Sequence, residues 1–470
     1  MPDRTAALPN HSPRLALRSA PRLASRSAPR RKRRRHAAAL ACSLLGLTAL
    51  TACGGSSSSS SSSSAASTPG RPVTITFWGW TRGSQQVADA FNASHHDVHV
   101  VFEQIPSGNA GGYAKISNAV KAGNEPDVFN VEYPMLPEYV SQGAVQDLTS
   151  RISGLTSKFT PQSVQLTTFA GKDWALPLDA DPQVFFYRKD VFTKYGIQVP
   201  TTWDQFRTAA QKLKAADPAA RLATFFSDDP STLEAMAWQA GAAWFGTSGD
   251  AWKVGLRDAP TQKVAAYWQS LIADDLVRVQ PYSSQAWSAS LQNSQTVGYL
   301  GAAWSAGALK SAEPTQAGDW AVAPIPSWDG NPAGGMLGGS VFVVGKDSKN
   351  VAAAVEFSQW ATTTPQGMQA RIASGISSVY PADPALVPTA KQAFNTTFYG
   401  GQDIFSVFSD ASAAIKPGWS WGPSMGVTNS AIKNAFSALT GSGTIDQALR
   451  AGQDATVSDL KARGVQVVGP

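Results

Sequence analysis

The 470-residue sequence predicts an α/β protein, and three observations carry that expectation. Strand-like and helix-like patterns alternate from residue 71 to residue 131, the signature of βαβ units on a parallel sheet with right-handed crossovers. A hydrophobic content of 43% over this length supports a sizeable core divided between two lobes. No repeat of fixed period emerges along the chain, so stacked-repeat architectures do not fit.

The elements follow in order. RPVTITFWGW (residues 71–80) alternates β-branched and polar residues before turning aromatic, a strand that ends at a loop. SQQVADAFNAS (84–94) places Val87, Ala88 and Phe91 on one helical face. VHVVFEQI (98–105) is a second strand, YAKISNAVKAG (113–123) a helix stopped by Gly123, and DVFNV (127–131) a short buried strand. Residues 174–192 read as extended and then helical, and 201–217 as an amphipathic helix with Thr202 at its N-cap. Residues 296–304 run from strand to loop, 319–347 are extended and rich in Gly and Pro, and 351–363 are helical, with three further helical patterns reaching Arg463. In parallel sheets ligands sit outside the carboxyl ends of strands, so the loops after Trp80 and Val131 are where a site is expected.

The formal charge of +6 does not describe the folded body. Residues 1–53 hold eleven of the 39 basic side chains and one of the 33 acids, which leaves 28 against 32 beyond Cys53. A nucleic-acid partner is therefore not expected. The basic run RRKRRR (30–35) and the apolar run HAAALACSLLGLTALTA (36–52) read as a signal peptide, too short for a membrane span of about 20 residues. Leu50-Thr51-Ala52-Cys53 resembles a bacterial lipobox, which implies two acyl chains on Cys53 and hence a membrane anchor. Nine serines (56–64) extend to about Gly70 as a flexible tether spanning roughly 20 Å. The other cysteine, Cys42, lies within the apolar run, so the body beyond the tether has neither a free thiol nor a disulfide.

From Arg71 onward the chain resembles extracellular solute-binding proteins of bacterial ABC importers, the sugar-binding family 1. The matching stretches fall in that family's order: VTITFWGW, AGNEPDVFNVEYPMLPEYVSQGAVQDLT, YRKDVFTKYGIQVPTTWDQFRTAAQKL, TVGYLGAAW, GDWAVAPIPS with GGSVFVVGKDSKNVAAAVEF, and TIDQAL. The chain departs at Arg188, where the family usually carries Asn in a YNKD-like phrase. The resemblance implies the type II periplasmic-binding-protein fold, two α/β lobes around an interlobe cleft with a hinge of several crossings. The expected layout is a lipoprotein signal peptide over 1–53, a tether over 54–70, an N-lobe of 71–180 with 336–380, and a C-lobe of 181–335 with 381–470. Crossings are expected near residues 178–185, 334–339 and 378–383, where extended or Gly/Pro-containing chain can absorb the dihedral change of closure.

A sugar offers an apolar C–H face and a rim of hydroxyls, so its site needs flat aromatic platforms and groups that pair the rim. All fifteen tryptophans lie beyond residue 70. Those in loops at lobe edges are the expected platforms: Trp419 and Trp421 in KPGWSWGPS, Trp304 closing GYLGAAW, Trp80 after the first strand, and Trp244 in GAAWFGTSG. Trp203, Trp268 and Trp360 sit at helical spacing and are assigned to the core. For the rim, Glu132 follows the third strand, Asp179 follows WALPL, Ser340 follows Gly338-Gly339, and Arg82 lies in the first loop.

The expected partners are a sugar ligand and ABC permease subunits, with a lipid on Cys53, no cofactor, no catalytic residue, no metal ligand, and a monomeric state. Two other classes compete. A lipid-anchored glycoside hydrolase would need paired carboxylates, which 32 acids could supply, yet the chain carries no Walker or G-x-G-x-x-G motif. His95, His96 and His99 with Asp97 could chelate a metal, but they sit at the N-terminal edge of a strand, the end away from the expected cleft. A tethered adhesion module would bind a surface without interlobe closure.

Overall fold

A computed structural model describes residues 72–469. The signal peptide, the lipobox at Cys53 and the serine tether lie outside the described residues. The alternation read from the sequence is found as strand Val73–Gly79, helix Ser84–Ser94, strand Val98–Gln104, helix Gly112–Ala122 and strand Val128–Glu132. Val73–Gly79 pairs in parallel with both other strands, Val73 opposite Val98 and Phe77 opposite Val128. Ile75 and Phe77 point into the core with no exposed surface, as period-two alternation requires. Helix Ser84–Ser94 lays Val87, Ala88 and Phe91 against that sheet. Helix Gly112–Ala122 stops at Gly123, whose φ of 67° lets its N–H return to the carbonyls of Ala119 and Val120.

The sheet is mixed rather than purely parallel. Ser340–Val344 runs antiparallel to Val128–Glu132, and Leu176–Pro177 closes the edge beyond it. The reason is topological: Ser340–Val344 arrives from the other lobe and enters the sheet from the opposite end. A second sheet places Gln183–Arg188 between Gly298–Ala302 and Trp320–Pro324, antiparallel on both sides. Helix Trp203–Ala216 starts as expected, with Thr202 Oγ1 accepting the Gln205 N–H at 3.2 Å. Arg188, the departure from the family phrase, ends the central strand nearly buried. Its guanidinium donates to both carboxylate oxygens of Asp190 at 2.8 and 2.7 Å and to Ser294 at 3.0 Å, so the neighbouring acid supplies its counter-charge.

Helix Val351–Thr363 matches its expected bounds, but five helices follow it rather than three: Pro365–Ile372, Val387–Ala393, Ile404–Ala413, Met425–Phe436 and Ile445–Ala462. Prolines in the first turns of Pro365–Ile372 and Val387–Ala393 begin two of these as short helices. Trp203 and Trp268 are in the core as assigned, and Trp360 packs edge-on to Phe91 and His95. His95 itself stacks on Phe91 with ring centres 3.9 Å apart. That packing gives the histidine segment a structural part at the end of its helix.

The two sheets are joined by three extended segments lying side by side. Leu178 donates to the Ser340 carbonyl at 2.9 Å, Gln183 to Gly335 at 3.0 Å, and Ala180 to Tyr380 at 2.9 Å. Bridges at Asp179–Pro381 and Pro182–Met336 complete the band. All three coincide with the crossings read from the sequence.

Phe77 is fully buried and meets the rings of Phe102, Phe342 and Phe357 at centroid distances of 5.1–5.3 Å. Phe77→Ala is expected to remove about 3–5 kcal/mol of stability, read as a lowered denaturation midpoint in guanidinium. A loss below about 1 kcal/mol would contradict the packing described.

Candidate binding site between the two lobes

The hinge band forms the floor of the site. Asp179 is 2% exposed and its carboxylate accepts the backbone N–H of Ser340. Ser340 stands opposite Glu132 in the sheet register. Tyr133 Oη donates to the Asp179 carbonyl at 3.0 Å. Gly338 and Gly339 have φ of 81° and 92°, and a Cβ on Gly339 would lie 2.9 Å from the Tyr133 ring. Only glycine permits this turn to pass so close to the ring. Asp181, two residues beyond Asp179, accepts the Tyr380 N–H at 2.9 Å.

Above the floor, Glu132 receives a hydrogen bond from the Tyr113 hydroxyl, and Tyr113 meets Trp80 edge-on at 5.5 Å. Trp304 is half-buried. Its indole N–H donates to the Leu337 carbonyl at 2.9 Å, holding the ring against the band, and Tyr282 meets it edge-on at 6.4 Å. Arg82 is exposed, and its positive charge acts on the Tyr282 hydroxyl. Under the same loop the buried Arg371 guanidinium donates to Thr81 Oγ1 and the Arg82 carbonyl, each at 3.2 Å. Its positive charge favours ionisation of Asp179.

The carboxyls share one electrostatic environment. Burial pushes Glu132 up to about 7, reinforced by the charges of Asp229 and Asp179 and opposed by the Tyr113 hydroxyl. Asp179 rises to about 6 through burial, opposed by the Ser340 N–H, by Asp181 and by Arg371. Asp181 is driven well above the carboxylate range by burial and by Asp179. Glu234, on helix Ser231–Ala240, reaches about 8 through burial and the charges of Asp229 and Glu132. Asp229 is raised by burial against the hydrogen bonds of Ser231. Glu132 ends a strand of the first sheet, whereas Asp229 and Glu234 follow the strand Thr224–Phe226, and the charges of Asp229 and Glu132 both act on Glu234. Glu234 Oε1, Asp181 Oδ2, Asn429 Oδ1 and the indole nitrogens of Trp419 and Trp421 are buried without a partner in the protein. Such groups are costly unless something pairs them.

Three of the expected platforms are not open walls. Trp244 is fully buried with its N–H on Thr261 Oγ1 at 2.8 Å, so it belongs to the core. Trp419 is 1% exposed and lies parallel to Trp238 at 5.4 Å, with Trp244 at 5.5 Å on another side. Trp421, 5% exposed, stands edge-on to both Trp419 and Trp238. The glycines and proline around this pair turn the loop inward, and four indoles bury more apolar surface together than two could present to a cleft. Trp80, Glu132, Asp179, Trp304 and Ser340 do gather at the hinge band, with Arg82 at its rim.

Tyr113, Asp181, Asp229, Glu234, Tyr282 and Asn429 escaped the sequence reading. Asp229 carried a usable signal, since SDDPS follows the strand Thr224–Phe226 much as Glu132 ends its own. Glu234 is the lone charge in STLEAMAWQA, another signal of a buried charge.

A carboxyl whose pKa is higher folded than unfolded favours folding below its unfolded pKa, and that stability is lost as pH rises through the folded value. For Glu234 the window runs from about 4.5 to about 8. Glu234→Gln is therefore expected to stabilise the empty protein by more than about 1 kcal/mol at pH 8 while changing little near pH 4.5. Denaturant unfolding at the two pH values reads this directly, and equal effects at both would contradict the buried-charge account.

The sequence pattern described as bacterial extracellular solute-binding protein matches residues 78–368. An arabinooligosaccharide-binding protein of Bacillus subtilis (strain 168) is 25% identical over 363 residues, covering 73% of this chain and 82% of that one. A lactose-binding protein of Rhizobium radiobacter is 23% identical over 406 residues, covering 82% and 93%. Among solved structures, the ABC transporter associated binding protein of B. animalis subsp. lactis Bl-04 with β-1,6-galactobiose superposes with a TM-score of 0.75 and 26% identity, over 84% of this chain and 99% of that one. The galacto-N-biose-/lacto-N-biose I-binding protein of Bifidobacterium longum, with lacto-N-biose, gives 0.75 and 26% over 85% and 100%. With a hinged two-lobe fold and a match across more than half its length, this chain belongs to the bacterial extracellular solute-binding protein family.

Proposed function

We propose that the protein captures a mono- or oligosaccharide between its lobes and delivers it to the membrane subunits of an ABC importer without altering it. The observation that carries this reading is the grouping of carboxylates and aromatic rings from both lobes at the hinge band. Glu132, Asp179, Asp229 and Glu234 supply acceptors for sugar hydroxyls, while Trp80 and Trp304 supply rings for a C–H face. Relatives named for arabinooligosaccharide and lactose binding support a saccharide as the class of solute. The lipobox reading of Cys53, if the thiol is acylated, would hold this body at the outer face of the membrane on its serine tether. The body is taken to be 71–180 with 336–380 as one lobe and 181–335 with 381–470 as the other, acting as a monomer.

A pair of carboxylates could also serve glycoside hydrolysis. Against that reading, the curated relatives are named for binding sugars rather than cleaving them.

A thermal-shift screen of neutral mono- and oligosaccharides on the purified protein is expected to return at least one stabilising sugar that is recovered intact by chromatography. Titration calorimetry with that sugar should show Glu132→Gln and Trp304→Ala each weakening binding at least tenfold, about 1.4 kcal/mol. No stabilising sugar across the panel, or release of a cleaved product, would overturn the reading. Incubation of intact cells with a labelled fatty acid should label the wild type and not Cys53→Ser; equal labelling would exclude the anchor.

A further inference from the structure

We propose that Glu138 and the start of helix Met425–Phe436 form a latch across the cleft, which makes Glu138 a positioning residue for solute capture. Glu138 lies in helix Leu136–Ser141, just past the first lobe's strand Val128–Glu132. Helix Met425–Phe436 packs on helix Ile445–Ala462 in the second lobe. The Gly426 N–H donates to Glu138 Oε2 at 2.8 Å.

The helix needs that acceptor from outside. Its N-cap residue, Ser424, makes no side-chain cap, because its hydroxyl donates to Asp459 Oδ2 at 2.6 Å. An uncapped first turn leaves N–H groups and the positive end of the helix dipole unsatisfied. The carboxylate of the other lobe answers both. A second bond runs parallel: Arg463 donates to Ser141 Oγ at 2.8 Å while its other nitrogen holds the Pro423 carbonyl at 2.8 Å and Ser424 Oγ at 3.1 Å. A third joins Gln165 Nε2 to the Trp419 carbonyl at 3.3 Å. Of the charges around Glu138, Arg463 favours its ionised form and Asp459 opposes it.

Residue 426 is matched to this contact. A Cβ there would stand 3.2 Å from both Glu138 oxygens and 3.5 Å from Met135 Cε, so a branched side chain crowds the carboxylate and displaces this contact. None of Glu138, Ser141, Gly426 and Arg463 belongs to the group at the hinge band. They act instead on the balance between open and closed forms, and solute affinity scales with the closed fraction. The consequence for affinity rests on the function proposed above; the latch does not.

Small-angle X-ray scattering of the empty purified protein tests it, so the result is independent of which solute binds. Glu138→Lys and Gly426→Val are expected to raise the radius of gyration above that of the wild type, and Glu138→Gln to raise it less, with far-ultraviolet circular dichroism unchanged in all three. The Glu138→Gln and Gly426→Val proteins decide the matter should Glu138→Lys fail to fold. Scattering curves that superpose on the wild type in the folded variants would overturn the latch.

Discussion

A carboxylate buried where the chain crosses between lobes must be paired, and much of the site follows from how Asp179 meets that demand. Its oxygen takes the Ser340 N–H, which fixes the two crossing segments against each other at the end of the first sheet. That pairing sets Ser340 opposite Glu132 and turns Gly338-Gly339 beneath the Tyr133 ring. Leu337, one residue earlier, offers its carbonyl to Trp304. One satisfied acid therefore places a second acid and an aromatic ring from the other lobe on the same floor.

The price of this arrangement is charge. Glu132, Asp179, Asp181, Asp229 and Glu234 are all driven towards their neutral forms by burial and by one another. A hydroxyl-rich solute donates hydrogen bonds to such oxygens and favours their ionised state. The empty site is thus less stable than its packing alone would make it, and solute relieves what the protein cannot satisfy by itself. This is a physical route from a polar cleft to a closed, occupied one.

Much of the fold was legible because it is written in short-range patterns. Period-two alternation in VTITFWG, helical spacing in SQQVADAFNAS and the stop at Gly123 depend only on neighbours along the chain. The hinge crossings were legible for the same reason, since extended Gly/Pro-containing segments announce themselves. The antiparallel entry of Ser340–Val344 was not, because direction in a sheet is set by where the chain has been. The site was legible where an acid stands at the end of a strand, as at Glu132, and opaque where tryptophans compete for burial. Trp419 and Trp421 flank glycines as a ligand wall would, yet Trp238 and Trp244 offer them a dry face, and apolar area decides. Nothing local to KPGWSWGPS records those partners.

The central claim is that an intact saccharide is held between the lobes against the hinge band. A crystal structure of the protein with the sugar that stabilises it tests this most directly. The account predicts an uncleaved sugar within hydrogen-bond distance of Glu132 or Asp179 from one side and of Glu234 or Asp229 from the other, with a ring face against Trp80 or Trp304. A sugar bound on an outer surface, with these carboxyls untouched, would contradict it.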